Sequence, residues 1–281
     1  MDDFRFRRYN LVDEKQYELE VGSIKEKIED VHKDLELYKG IHLDRFGEDS
    51  LDSLLVDFIK MVLIEMDENT KEERIEIIKN KIRYDTTRQQ ILDLSHLMEE
   101  TDEKLQIKSN NNRISRQKAT EQEIEIMEYI VKSRLLRKGI NSLSEVNFNF
   151  NELIEMLFTL RDIGNSDFFA SGFMNSILIG DKITFVQNKI NKIRFLFNCS
   201  QILLNSTGMK FEKDEFIESF YLGEYLFSGI LIADKEGFNN LIDKIHEESN
   251  KIRELLELYK NDYNKIIKKI EQWEYKMDIN K

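Results

Sequence analysis

A chain of 281 residues with 41% hydrophobic content can bury a substantial core without disulfide or metal staples. Its net charge of −12 excludes broad attraction to phosphate backbones or anionic membrane surfaces, so any nucleic-acid contact must be local. No proline occurs where average usage of about 5% would place about 14, which permits long uninterrupted helices and argues against a strand-rich fold.

In chain order, the first feature is a basic-aromatic cluster, with Arg5, Arg7 and Arg8 interleaved with Phe4, Phe6 and Tyr9. It has no apolar signal core, and as a free N-terminal arm it would dock on a partner. A helix is expected over 14–39, where Val21, Ile24, Ile28, Val31, Leu35 and Tyr38 keep to one face, and Gly40 would end it. Ser50 is placed to cap a helix over 50–67, whose apolar run is broken by Asp57, Lys60 and Glu65 and so cannot span a membrane. Thr70 with Glu73 and Thr120 with Glu123 fit capping boxes for helices over 71–108 and 119–138, separated by the linker-like run Ser109 to Asn112.

Residues 104–138 hold nine basic against four acidic side chains. Arg113, Arg116, Lys118, Arg134, Arg137 and Lys138 are the candidate nucleic-acid contacts, because clustered cations supply sequence-independent affinity for phosphate. Gly139 would close the second of these helices. Residues 146–232 then carry 15 of the 29 aromatic residues, with helices expected over 151–163, 181–205 and 213–231. Phe168, Phe169 and Phe173, with Phe4 and Phe6, are the candidate partner interface. Cys199, flanked by Leu196, Phe197, Ile202 and Leu203, reads as a small buried hydrophobe, and as the single cysteine it forms no internal disulfide and fits a reducing cytoplasm.

The last helix, expected over 237–279, carries the strongest pattern. Phe238, Ile242, Ile245, Ser249, Ile252, Leu256, Tyr259, Tyr263, Ile266, Ile270, Trp273 and Met277 follow alternating steps of four and three residues. Its tyrosines and tryptophan are too bulky for a tidy parallel zipper, which favours an intramolecular or antiparallel partner, and the helix at 14–39 repeats the same spacing.

Catalytic signatures are missing from the sequence. None of the eleven glycines forms a phosphate-cradling G-x-x-x-x-G-K-[ST] or G-x-G-x-x-G, and there is no G-x-S-x-G, H-E-x-x-H or paired C-x-x-C. The pairs Glu29/His32, Asp93/His96 and Asp243/His246 fall off the apolar stripes of separate helices, so they build no closed metal site. Arg88 and His96 lie more than two helical turns apart. No catalytic, cofactor-binding or metal-ligating residue is therefore assigned, and no cofactor is expected.

The fold class expected is all-α: a multi-helix bundle with long coiled-coil-type helices at both termini and an aromatic-rich helical middle. The organisation expected is an N-terminal helical region over 1–140, an aromatic core over 146–232, and a C-terminal helix over 237–279 packing back on the N-terminal region. The expected function is that of a non-enzymatic scaffold or adaptor, or an accessory subunit beside a separate ATPase or nuclease in a bacterial complex. Its partners would be proteins, in a homo-oligomer or a hetero-complex, with no membrane association. A nucleic-acid-associated accessory protein using 104–138 is the alternative, and an all-helical nuclease or metalloenzyme the third class.

Overall fold

The computed structural model describes residues 2–46, 68–111, 121–166, 173–209 and 235–279. Five helices account for 98% of these and no strand occurs among them. They are α1 (Asp2–Phe46), α2 (Glu68–Asn111), α3 (Glu121–Ser166), α4 (Phe173–Asn205) and α5 (Lys235–Ile279). The expected all-α bundle is the fold. The helices expected over 50–67 and 213–231 lie outside the described residues.

Several helices run further than their punctuation predicts. Residues 4–9 are part of α1, so the basic-aromatic cluster is helical and not a free arm. The same helix continues through Gly40 to Phe46, and α2 continues through Ser109 and Asn110 to Asn111. A mid-helix glycine costs only about 1 kcal/mol, and with no proline nearby nothing forces a stop.

The largest correction is at Gly139. Residues 119–138 and 151–163 are not separate helices but parts of α3, a single helix of 46 residues, about 69 Å long at about 1.5 Å per residue. Gly139 serves packing: a Cβ built there would stand 2.8 Å from Cγ and 2.9 Å from Cδ2 of Leu204 on α4. The polar residues that follow turn their side chains back onto the helix, Ser144 Oγ donating to the carbonyl of Ile140 (2.8 Å) and Asn149 Nδ2 to that of Glu145 (2.6 Å). Ile140, Leu143, Val146, Phe150 and Leu153 continue the buried face through this stretch. The boundary read between 140 and 146 therefore lies inside one element.

Cross-helix pairs set the directions. On α3 and α5, Arg161 meets Asn239 (3.0 Å), Asn147 meets Ser249 (2.8 Å) and Tyr129 meets Lys269 (3.4 Å), so numbers fall on one helix as they rise on the other. These two helices are antiparallel. Glu152 with Lys189 and Gly139 with Leu204 make α3 and α4 antiparallel as well. Ser23 with Ser206 (2.7 Å) and Lys27 with Gln201 (2.9 Å) set α1 antiparallel to α4, whereas Asp13 with Arg134 and Glu20 with Lys138 set it parallel to α3.

The main core joins Leu136, Leu143, Val146, Phe150, Leu153 and Leu157 of α3 to Val186, Ile190, Ile193 and Phe197 of α4 and to Ile242, Ile245, Ile252 and Tyr259 of α5, with Ile78 and Ile82 of α2 at its edge. The stripe expected on the last helix is thus the face it buries, from Ile242 to Ile266. Its partner differs from the one expected. The seam lies on α3, because α3 offers an apolar row of matching length, and the neighbourhood of α1 is reached only at the far end, where Ile270 and Trp273 pack on a cluster of Val12, Ile126, Ile130, Val131 and Leu135. A third cluster joins Ile24 and Val31 of α1, Leu94 of α2 and Ile202 of α4.

Candidate functional site

Of the six candidate nucleic-acid contacts, Arg134, Arg137 and Lys138 fall among the described residues, on the stretch of α3 that receives α1. Arg134 forms an ion pair with Asp13, and Lys138 Nζ donates to both carboxylate oxygens of Glu20 at 2.7 and 3.0 Å while lying 5.7 Å from the centre of the Tyr17 ring. Glu20 is buried and also accepts from Gln16 Nε2 at 2.7 Å. Charge-assisted bonds to a buried carboxylate contribute about 1.5–3 kcal/mol each, whereas the exposed Lys15–Glu128 pair (3.4 Å) contributes at most about 1 kcal/mol. Arg137 is exposed. Arg113, Arg116 and Lys118 lie outside the described residues.

Of the aromatic candidates, Phe168 and Phe169 also lie outside the described residues. Phe4 and Phe6 stand in the first turns of α1, and Phe173 is the first residue of α4. Among the described residues the most exposed rings are others, Tyr275 of α5 at 70% and one each on α3 and α4. Phe148 is 61% and Phe185 64% accessible. Phe148 is one turn before Glu152 on α3 and Phe185 one turn before Lys189 on α4, and Lys189 Nζ bridges to Glu152 Oε2 at 2.7 Å. Because the helices are antiparallel, the two rings stand at opposite ends of that ion pair. Phe158 is more sheltered, with the Arg161 guanidinium 4.8 Å from its ring centre.

A feature not singled out from the sequence is the polar stripe of α4. Gln187, Asn191, Arg194, Asn198, Gln201 and Asn205 recur at steps of four and three, one position beyond the apolar stripe Val186, Ile190, Ile193 and Phe197. Gln187, Arg194, Asn198 and Gln201 are buried. This face meets the first two helices: Thr86 of α2 donates to Asn191 Oδ1 (3.3 Å), and Lys27 of α1 donates to Gln201 Oε1 (2.9 Å). Both amide atoms of Asn198, which is fully buried, and the amide oxygen of Gln187 meet no hydrogen-bond partner among the described residues. Leaving such a group unbonded costs about 1–3 kcal/mol. A half-open cleft of about 120 Å³ lies at the Gln201 end, lined by Ser23, Glu26, Lys27, Asp30, Gln201, Ile202 and Asn205. The spacing of the stripe was visible in the sequence but its burial was not, since polar residues at heptad steps beside an apolar row read equally as the solvated face of an amphipathic helix.

The chemical inventory is otherwise sparse among the described residues. No group of three or more His, Cys, Asp or Glu is placed to hold a metal ion. Glu29, His32, His96, Asp243 and His246 are exposed, His96 facing Glu100 at 3.4 Å and His32 Nδ1 lying 2.9 Å from the carbonyl of Ile28. Cys199 is buried, and burial, reinforced by the carboxylates of Asp93 and Glu145, pushes its thiol up to about 12. A thiol so disfavoured as thiolate is no nucleophile near neutrality. No described helix is long and apolar enough to cross a membrane. No family model, curated protein or solved structure matches the chain.

Proposed function

We propose that the chain is a non-enzymatic helical scaffold or accessory subunit of an intracellular protein complex, binding a protein partner through the outer face of α3 and α4. The observation that supports this reading is the pair of exposed rings, Phe148 and Phe185, flanking the Glu152–Lys189 bridge on two helices whose main apolar stripes are buried in the core. Large apolar side chains gathered on one outer face are what a partner covers, and aromatic rings contribute most where such surfaces are buried. Long helices suit the role because they hold that face rigidly along a rod tens of ångströms long.

The test is the mass of the native assembly. Protein purified from its host and measured by size exclusion with light scattering should exceed the 33.6 kDa of one chain. The variant Phe148→Ser/Phe185→Ser should fall back towards that value with its helix content intact. A native mass equal to one chain, unchanged in the variant, would overturn the reading.

A further inference from the structure

The five helices divide into two sets by how extensively they pack on one another. Within α3, α4 and α5 the contact is a continuous apolar core, with Gly139 allowing α3 and α4 to approach closely. Helix α1 packs most extensively on α2. The line between the pair α1–α2 and the three-helix body is mixed: apolar side chains of all three clusters meet across it, and polar contacts run beside them. It is crossed by the Asp13–Arg134, Lys15–Glu128 and Glu20–Lys138 ion pairs and by the Ser23–Ser206, Lys27–Gln201 and Thr86–Asn191 hydrogen bonds. On the body side it includes the polar stripe of α4, where Asn198 and the oxygen of Gln187 meet no hydrogen-bond partner among the described residues.

We propose that the α1–α2 pair is a docking arm that opens from the α3–α4–α5 body in an equilibrium governed by ionic strength. Parting this line exposes the hydrocarbon of those clusters to water, whereas its polar contacts exchange protein partners for water at small net cost. Opening also hydrates amide atoms that meet no hydrogen-bond partner among the described residues in the closed form. The closed form is held by Val12 on Ile126 to Leu135, by Ile24, Val31 and Leu94 on Ile202, by Ile78 and Ile82 at the edge of the main core, and by the ion pairs. The ion pairs are the adjustable part of that balance. The Arg134 and Asp13 side chains are 34% and 21% exposed, so salt reaches them. Screening length falls from about 10 Å at about 0.1 M to about 3 Å at about 1 M. Opening frees Arg134 and Lys138 to join exposed Arg137 as a cationic face on α3.

The experiment uses the full chain in a Cys199→Ala background with paired spin labels on exposed sites. Lys25→Cys with Glu155→Cys measures arm to body, and Glu155→Cys with Glu257→Cys measures α3 to α5 within the body. Raising the salt from about 0.1 to about 1 M should add a longer arm distance while the body distance stays fixed. Arg134→Gln/Lys138→Gln should raise the long population about tenfold at low salt, and Asp13→Asn/Glu20→Gln, which removes the same pairs from the other side, should match it. An arm distance indifferent to salt and to both double variants overturns the proposal. So does a body distance that lengthens together with the arm, since the bundle would then be unfolding as one unit.

Discussion

Gly139 and Gly22 make a controlled comparison of one substitution in two settings. Alanine gains up to about 1 kcal/mol over glycine in a helix interior, and at Gly22 nothing lies within 4 Å of the new Cβ. Gly22→Ala should therefore raise stability by about 0.5–1 kcal/mol. At Gly139 the same Cβ meets Leu204 at 2.8 Å, and overpacking of about 1–3 kcal/mol outweighs the propensity gain. Gly139→Ala should lower the urea midpoint, and adding Leu204→Ala should make the two changes strongly non-additive. Asn198 reverses the usual sign of a core substitution. Replacing an enclosed amide whose two polar atoms meet no hydrogen-bond partner among the described residues by leucine, which has the same number of side-chain heavy atoms, should stabilise the fold by about 1–3 kcal/mol in the same assay. Cys199 gives a pH signature. Its thiol rises from 9.0 to about 12 on folding, so the unfolded chain loses the proton first as pH increases. The stability this group contributes is complete below about pH 9 and is lost between about 9 and 12, at up to about 1.4 kcal/mol per pH unit. The stability of the native protein minus that of Cys199→Ala should be flat from about pH 6 to 8 and decline by pH 10.

At the level of the helix, periodicity proved a better guide than punctuation. The stripe from Ile242 to Trp273 marked the length and buried face of α5, and the row from Val21 to Leu35 marked a buried face of α1 though not its length, because a sustained 3.5-residue repeat reflects packing along the element. Gly139 misled because a glycine that lets two helices touch and one that ends a helix look the same without the neighbour. Asn149, in the stretch read as lying between helices, bonds the Glu145 carbonyl and accepts from Lys189 at 3.1 Å, a partner 40 residues away. The choice of α3 over α1 as the surface for α5 was equally hidden, since α3 had been read as two shorter helices and offered no row long enough. The polar stripe of α4 was present in the sequence but overshadowed by the apolar one beside it. The α3–α5 register carries its own test. Asn147→Cys with Ser249→Cys, in a Cys199→Ala background, replaces side chains whose atoms meet at 2.8 Å and should form a disulfide within one chain under mild oxidation. Disulfide-linked dimers in its place would mean that α5 pairs with a second copy.

The whole molecule sets the charges of that bundle against one another. With −12 overall, and with the Arg134 and Lys138 cations already held by Asp13 and Glu20, the folded chain presents phosphate with little net attraction. Salt does not rescue the interaction. The ionic strength that loosens α1 from α3 and releases those two cations is the same that screens them from a nucleic acid. The expected outcome is that a duplex RNA or DNA oligonucleotide shows no measurable binding at about 0.15 M salt. A titration across salt concentration gives the count should binding occur. A logarithmic slope near −5 would mean that all six named cations, Arg113, Arg116, Lys118, Arg134, Arg137 and Lys138, reach phosphate, and one near −4 that Arg134 and Lys138 stay with α1. Either slope would move the function from protein assembly to nucleic-acid association, and the steeper one would also require the α1–α2 arm to leave the body for the phosphate backbone to reach α3.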